Sequence, residues 1–184
     1  QEDVVVLARE LLGKVICTRF DGVLTKGMIT ETEAYAGTTD RASHAFGGRR
    51  TRRTETMYKT GGIAYVYLCY GIHHLFNVVT HQEGVPHAVL LRGVKPLSGM
   101  PQMQERRKGK RIGKGFSDGP GIAAQALGIQ TKHNGLSLQG PEVWIEDINT
   151  TVSDTDVIIG PRIGVDYAGE DAKLPYRFLW KPNE

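Results

Sequence analysis

Apolar and polar residues alternate along short stretches of this chain, and this two-residue period is typical of strands with one buried face. Turn signals such as Asp21-Gly22 separate the stretches. Because strands and helices do not alternate, we expect antiparallel hairpins rather than a parallel sheet. The pattern predicts strands over residues 14–20, 23–34, 63–69, 74–80, 88–95, 143–148, 157–159 and 177–180.

Helical periodicity is confined to short segments. Glycine is predicted to close two of them, because it readily adopts the left-handed conformation that ends many helices. The segments are an N-terminal stripe of Val4, Ala8, Leu11 and Leu12 that stops at Gly13, a stretch over 100–107, and a stretch over 120–127 closed by Gly128.

The segment 37–62 shows neither period. It contains two Gly-Gly pairs and five arginines, which indicates a long loop on the surface. Ordered loops of this length are more often functional than decorative.

Length and composition set the fold class. A chain of 184 residues with 40% hydrophobic and 23% charged residues has enough material for one core and does not resemble a disordered chain or a coiled coil. No apolar run approaches the roughly 20 residues of a membrane span. We predict a single α+β domain over residues 1–184, with a curved, mainly antiparallel β-sheet core, few short helices and long surface loops.

The cysteines and the N-terminus bear on the compartment. Cys17 and Cys69 lie in predicted strands, which favours buried reduced thiols over a secreted disulfide framework. The sequence begins at Gln1 without a basic, apolar leader, so we expect a trimmed or processed chain. We expect a protein that is not secreted: cytoplasmic or in the nucleoid if bacterial, nuclear if eukaryotic.

Basic residues are concentrated in two clusters. Residues 41–59 and residues 105–114 each hold six basic side chains and one acidic side chain, whereas residues 133–161 hold five acidic residues and neither Lys nor Arg. This two-sided charge favours a polyanion bound on one face. A solvated basic loop is the alternative for either cluster alone.

Two carboxylates and a phenol share one face of a strand. In the stretch MITETEAY, alternation places Glu31, Glu33 and Tyr35 on the same side. A solvated edge strand is the alternative explanation. The strand runs directly into the arginine-rich loop with His44, which favours a functional face.

The stretch YVYLCYG places Tyr65, Tyr67 and Cys69 on one face and Tyr70 at a hairpin tip before Gly71. A tyrosine at a tip can simply cap a core. Tyrosines beside arginines are, however, typical of nucleic-acid surfaces, where rings stack on bases and cations pair with phosphates.

Metal ions and nucleotide cofactors have no support in the sequence. Four histidines lie within 15 residues, but no HExxH or CxxC motif accompanies them, and the adjacent His73 and His74 point to opposite faces of a strand. The glycine-rich phosphate motifs GxxxxGK[ST] and GxGxxG do not occur. Polar residues do interrupt apolar strands at Asn77 and Arg92, and each needs polar partners when buried.

Longer motifs occur in a fixed order along the chain. They are ETEAY, His44 nine residues after Tyr35, GGRRTRRTETM, GGIAYVYLCYGIHHLFNV, VLLRGVKP, DGPGIAAQALGI, RIGVDYAG and LPYRF. As an ordered set they closely resemble the alkyladenine (3-methyladenine, methylpurine) DNA glycosylases. The resemblance covers about residues 7–178.

The resemblance implies a role for each matching residue. Glu33 would activate the water that attacks the anomeric carbon of the sugar, and Arg92 would help hold that water and Glu33. The extruded base would lie between Tyr35 and His44 on one side and Tyr67 on the other. The resemblance assigns no chemistry to Glu31.

Further roles concern the DNA. The resemblance makes Tyr70 the wedge that enters the duplex where the base has left. It matches Asn77 to an amide that crowds the amino group of guanine, although a buried amide that satisfies strand backbone is the alternative. Ile163, Gly164 and Val165 would form another part of the base and water pocket. The expected DNA contacts are Met57, Tyr65, Gly164 and the loop arginines Arg50, Arg52 and Arg53.

The implied activity is that of a monofunctional DNA glycosylase, a monomer without cofactor or lyase activity. It would act on damaged purines in double-stranded DNA, drawn from 3-methyladenine, 7-methylguanine, hypoxanthine and ethenoadenine. The alternative is a non-catalytic RNA- or tRNA-binding module. Glu33 argues against a pure binder, because a carboxylate on a phosphate-binding surface repels the ligand. A metal-dependent nuclease is disfavoured because clustered acidic ligands are lacking.

Overall fold

The computed structural model describes residues 3–182, with three short α-helices and eight strands. The helices are α1 (Val4–Glu10), α2 (Met100–Arg106) and α3 (Pro120–Leu127). The strands are β1 (Val15–Phe20), β2 (Val23–Ala36), β3 (Ile63–Cys69), β4 (His73–Val79), β5 (His87–Ser98), β6 (Val143–Glu146), β7 (Val157–Gly160) and β8 (Arg177–Trp180). Every predicted strand and helix is present.

The sheet is built around β2, its central 14-residue strand. The strand order is β3-β4-β5-β2-β1-β6, while β8 pairs with β2 beyond the end of β1 and carries β7 on its other edge. All these pairings are antiparallel. The main core joins Ala8 of α1 and Leu127 of α3 to Ile16, Ile29 and Phe76 of the sheet. The predicted α+β class with a mainly antiparallel sheet is confirmed.

Several element ends differ from the predicted ones, and strand pairing explains two of them. β5 continues past residue 95 to Ser98, which pairs with Lys26 of β2. α1 ends at Glu10 rather than beside Gly13. Gly13 does adopt the left-handed conformation (φ 81°), but its N–H donates to the carbonyl of Ile29 and so guides the chain into β1.

The predicted surface loop over residues 37–62 is held by a small core of its own. It contains only short 3₁₀ turns, at 37–39, 46–48 and 55–58. Met57 and Tyr58 of the loop pack with Tyr65 of β3. The loop therefore lies at a fixed place against the sheet.

A buried ion pair fastens the start of this loop to the segment that follows β7. The guanidinium of Arg162 donates two hydrogen bonds to the carboxylate of Asp40, at 2.5 and 2.9 Å, and a third to the carbonyl of Ala34 at 2.9 Å. The two charged side chains are 0% and 1% exposed. Burial alone would raise the pKa of Asp40, but the hydrogen bonds from Arg162 and from backbone amides lower it below its ordinary value.

Over residues 3–182, no helix has the length and apolar character needed to cross a membrane.

We expect Asp40→Asn to lower the free energy of unfolding by about 3 to 5 kcal/mol, because it leaves the buried charge of Arg162 without its partner. Urea denaturation followed by circular dichroism measures the difference. A carboxylate with a depressed folded pKa stabilises above its unfolded pKa, and this stabilisation is lost as the pH falls through the folded value. The difference between the two proteins should therefore shrink in acid.

The matched control is Glu55→Gln, which removes the carboxylate of the solvent-exposed Arg50–Glu55 pair. We expect it to leave the urea midpoint nearly unchanged. Equal effects of the two substitutions would contradict a structural role for the buried pair.

Candidate active site

A cavity of about 350 Å³ opens where β3, β4 and β5 meet the loop 37–62 and the segment 163–167. This volume is at the lower end of the range for small-ligand sites. Its walls bring together most of the predicted site residues: Tyr35, His44, Arg53, Met57, Tyr65, Tyr67, Tyr70, Asn77, Arg92, Ile163, Gly164 and Val165. Of the other predicted residues, Glu33 lies beneath the cavity, whereas Arg50 and Arg52 are not part of its walls.

The carboxylate of Glu33 is 0% exposed. The hydroxyl of Tyr35 donates to its Oε2 at 2.7 Å, and the main-chain N–H of Ile163 donates to its Oε1 at 2.8 Å. Nε of Arg92 lies 3.5 Å from the same Oε1. Because Tyr35, Ile163 and Arg92 all line the cavity, these contacting groups separate the carboxylate from it.

The surroundings of Glu33 favour a strong proton acceptor. Burial raises the pKa of Glu33, and the neighbouring charge of Glu31 raises it further. Arg92, the Ile163 N–H and the Tyr35 hydroxyl act in the lowering direction without cancelling burial. A carboxylate with a raised pKa is suited to general base catalysis near neutral pH.

Glu31 contacts the same nitrogen of Arg92 as Glu33 does. Its Oε1 accepts hydrogen bonds from Nε of Arg92 and from a terminal nitrogen of Arg177, both at 3.2 Å. β2 has a bulge against β5 at this point, and bulges re-aim side chains beside active sites. Arg177 also donates to the carbonyl of Pro161, which ties Glu31 to the segment carrying the backbone N–H donor.

Tyr35, His44 and Tyr67 form aromatic walls of the cavity. The ring of His44 meets the ring of Tyr67 edge-on, with 4.6 Å between the ring centres and an angle of 78°. The guanidinium of Arg162 lies 4.9 Å from the centre of the Tyr35 ring. The ion pair below the cavity therefore also supports one of its walls.

His44 is neutral at physiological pH. Burial and the nearby charges of Arg53 and Arg49 lower its pKa to about 4. Its Nδ1 lies 3.0 Å from the hydroxyl of Tyr65, and its Nε2 lies 3.0 Å from the guanidinium of Arg53. The same nitrogen of Arg53 also lies 3.4 Å from Nδ1 of His44.

Tyr70 is 90% exposed at the tip of the β3–β4 hairpin. Its φ of 51° is left-handed, and Gly71 follows at 66°. The β1–β2 hairpin has the same turn geometry at Asp21 and Gly22, with φ of 51° and 77°. Asp-Gly is a preferred pair for such a turn, whereas a bulky aromatic is disfavoured there. An exposed aromatic residue in a backbone conformation that disfavours it indicates a functional role.

Asn77 faces the cavity but is only 3% exposed. Its side-chain amide donates to the main-chain carbonyl of Tyr65 on the neighbouring strand, at 3.2 Å. The two interpretations of Asn77 are therefore compatible, since the bond to the strand fixes the amide at the cavity wall.

Two predicted DNA contacts need correction. Met57 and Tyr65 are each 2% exposed, which leaves no side-chain surface for a duplex. Tyr65 instead positions His44 through its hydroxyl, and Met57 belongs to the core of the loop 37–62. Alternation along β3 gave the correct face for Tyr65, but its depth depends on the loop that covers it.

The three loop arginines have different surroundings. Arg50 donates two hydrogen bonds to Glu55, at 2.9 and 2.8 Å, and lies over the ring of Tyr58. Arg52 and Arg53 are both exposed, but Arg53 lines the cavity whereas Arg52 does not. Arg52 is thus the loop arginine best placed to meet a phosphate.

Part of the second basic cluster is structural. Arg106 donates to the carbonyl of Ala126, and Arg107 donates to the carbonyl of Phe116. These two guanidiniums hold α2 against neighbouring segments, a use that a count of charges does not reveal.

Among the described residues, no group of three or more His, Cys, Asp or Glu side chains is arranged to hold a metal ion. Neither cysteine is in a disulfide. Burial raises the pKa of Cys17 to about 12, so this thiol stays protonated. Cys69 is half-buried at the cavity wall.

Sequence reasoning gave no role to Glu31, Asp40, Arg162 and Arg177. The sequence motifs could have drawn attention to two of them, because Arg162 lies in the motif RIGVDYAG and Arg177 lies in the motif LPYRF. No comparable local signal marks Asp40.

The cavity thus has aromatic walls, a buried carboxylate and guanidinium beneath it, and an exposed tyrosine at its mouth, an arrangement suited to a hydrolase. The family model described as methylpurine-DNA glycosylase (MPG) matches residues 1–184, and the chain belongs to this family. Such enzymes hydrolyse N-glycosidic bonds in DNA and act in base excision repair.

Relatives are similar over almost the whole chain. A protein of Chlamydia felis is 46% identical over 181 residues, which cover 97% of this chain and 91% of the relative. A protein of Clostridium perfringens strain SM101 is 41% identical over 190 residues (99% and 93%), and one of Bacillus cytotoxicus is 42% identical over 189 residues (98% and 93%). Each is described as a candidate 3-methyladenine DNA glycosylase.

Two substitutions should move the pKa of Glu33 in opposite directions. Arg92→Gln removes a cation that lowers this pKa and should raise it further, whereas Glu31→Gln removes a neighbouring negative charge and should lower it. A ¹³C NMR titration of the Glu33 carboxyl carbon measures both. Shifts of the same sign would contradict the arrangement in which Nε of Arg92 contacts both carboxylates.

Proposed function

We propose that this protein is a monofunctional glycosylase that flips alkylated and deaminated purines out of duplex DNA and hydrolyses their N-glycosidic bond. The substrate class includes 3-methyladenine, 7-methylguanine, hypoxanthine and ethenoadenine. The observation that carries the proposal is the fully buried Glu33 carboxylate, which contacts three groups that line the aromatic cavity. The proposal includes a monomeric enzyme, cytoplasmic or in the nucleoid if bacterial and nuclear if eukaryotic.

Base flipping explains the cavity and the exposed tip. A glycosidic bond inside a duplex is inaccessible, so the nucleotide has to leave the stack, which is least costly for a damaged pair. Tyr35 and His44 then contact one face of the base and Tyr67 the other. Tyr70 enters the duplex and replaces part of the lost stacking.

The hydrolysis follows from the position of Glu33. Its carboxylate takes a proton from a water molecule, whose oxygen attacks C1′ of the sugar as the bond from C1′ to the base nitrogen breaks. The bonding electron pair leaves with the base, and the sugar passes through an oxocarbenium-like state that the carboxylate also stabilises. Because Glu33 is buried, the water reaches it only after a contacting group shifts.

Asn77 restricts which purines fit. Guanine carries an amino group at C2, whereas adenine and hypoxanthine do not. The Asn77 amide is fixed by its bond to the backbone of Tyr65 and cannot easily yield to that group. The gate therefore acts against undamaged guanine, whereas 7-methylguanine, which carries the same amino group, is released because its positive charge weakens the glycosidic bond. A fixed polar group that clashes and loses hydrogen bonds discriminates better than an apolar wall.

A non-catalytic RNA- or tRNA-binding module accounts less well for the site. Such a module needs exposed rings and cations. It does not require a carboxylate buried with a guanidinium and a backbone donor, as at Glu33.

Glu33→Gln should reduce release of hypoxanthine from a duplex by at least about a hundredfold, because the amide keeps the shape but cannot accept the proton of water. Binding of the same duplex should persist. Single-turnover release of free base and a gel-shift titration measure the two properties, and EDTA should not alter release by the unmodified protein.

The control is Glu31→Gln on the same strand, which should keep most of the rate at neutral pH. Full activity of Glu33→Gln would remove this residue from the mechanism. Base release that disappears with EDTA would instead favour a metal-dependent reaction.

Tyr70→Asn should separate folding from DNA binding. Asparagine tolerates the left-handed conformation, so the free energy of unfolding should rise by about 1 kcal/mol. Binding to a lesion duplex should nevertheless weaken, while hydrolysis of a base that is already looped out should change less. Urea denaturation and base release from the two substrates provide the measurements. Equal losses on both substrates would assign Tyr70 to the base pocket instead of the wedge.

A further inference from the structure

Arg53 lies on the ring that a flipped base needs as its stacking surface. Its guanidinium carbon is 4.9 Å from the centre of the Tyr67 ring, and the side chain forms part of the cavity wall. The same guanidinium lies 3.0 Å from Nε2 of His44, the residue predicted to contact the opposite face of the base. Arg53 therefore touches both sides of the predicted stacking site.

This arrangement leaves no room for a base between the two rings. A planar base between stacked rings needs about 3.5 Å on each side. The centres of the His44 and Tyr67 rings are only 4.6 Å apart. Stacking of a base on Tyr67 thus requires the Arg53 guanidinium to leave the ring and His44 to shift. Arg53 is itself solvent-exposed, so its side chain has space to move to the cavity mouth.

The charge of Arg53 acts differently on different bases. A guanidinium is planar and cationic, like a purine alkylated at a ring nitrogen, and both favour the face of an electron-rich ring. The Tyr35 ring already carries the guanidinium of Arg162, and Arg92 lines the cavity as well. Arg162 is paired with Asp40, and Arg92 contacts the carboxylates of Glu31 and Glu33. The charge that opposes a cationic purine is therefore mainly that of Arg53, whereas an uncharged purine competes with Arg53 for the ring but is not repelled.

We propose that Arg53 is a specificity-determining residue, a cation that occupies the stacking face of Tyr67, yields to the incoming purine, and disfavours cationic purines relative to uncharged ones. This inference rests on the proposed function and adds to it a residue that sets the balance between two lesion classes.

The test compares Arg53→Gln with Arg52→Gln, an equal change of charge in the same loop. Single-turnover efficiencies are measured on two duplexes of one sequence, with 7-methylguanine as the cationic base and hypoxanthine as the uncharged base. We expect Arg53→Gln to raise the ratio of 7-methylguanine to hypoxanthine release by about three- to fivefold. Arg52→Gln should lower both rates together, and Arg53→Lys, which keeps the charge, should stay near the original ratio. An unchanged ratio in Arg53→Gln would overturn the proposal and make Arg53 a phosphate contact.

A second measurement does not depend on catalysis. Because Arg53 helps to hold the pKa of His44 at about 4, Arg53→Gln should shift the NMR titration of the His44 ring to higher pH, and Arg52→Gln should not. An unshifted titration in Arg53→Gln would show that the contact is lacking in solution and would also overturn the proposal. If the unmodified protein released neither base, the proposed function would fail, while the titration would still report on the Arg53 contact.

Discussion

On the proposed chemistry, the site depends on one carboxylate, Glu33, that has to act as a base while it is fully buried. Removal of a charge from water is unfavourable unless the protein supplies partners. Glu33 receives them from β5 through Arg92, from the segment after β7 through the Ile163 N–H, and from its own strand through Tyr35. This requires β2 to be central, because only a strand with neighbours on both edges is reached from β5 on one side and from β8 and its preceding segment on the other.

The sequence predicted those features that local patterns determine. Alternation located the strands and the shared face of Glu33 and Tyr35, and Gly128 closes α3 in the expected left-handed conformation. Contacts between distant segments could not be predicted this way. Asp40 and Arg162 are 122 positions apart. The neighbouring sequence of each residue does not distinguish it from a charged residue on the surface. Only the sheet register and the path of two loops bring them together inside the protein.

The arginines of the loop 37–62 show that a count of charges can predict a basic surface but not the contacts that each arginine makes. Arg50, Arg52 and Arg53 are nearly adjacent and chemically identical, so a shared role on phosphates was the simplest expectation. Glu55 and Tyr58 engage Arg50, while His44 and Tyr67 engage Arg53. The partners of each guanidinium depend on how the loop folds over β3, which residue order alone does not specify.

On the proposed chemistry, the cations around the cavity act in opposite directions on binding and on bond cleavage. When the bond to an uncharged purine breaks, the departing base takes the electron pair and becomes negative, so guanidiniums such as Arg53 and Arg92 stabilise the transition state. When the bond to a cationic purine breaks, the base leaves neutral and gains little from those charges. The positive charge that opposes a cationic purine on binding thus assists the stronger bond of an uncharged lesion. The weaker bond of an alkylated purine depends less on this assistance, because its own charge already favours departure.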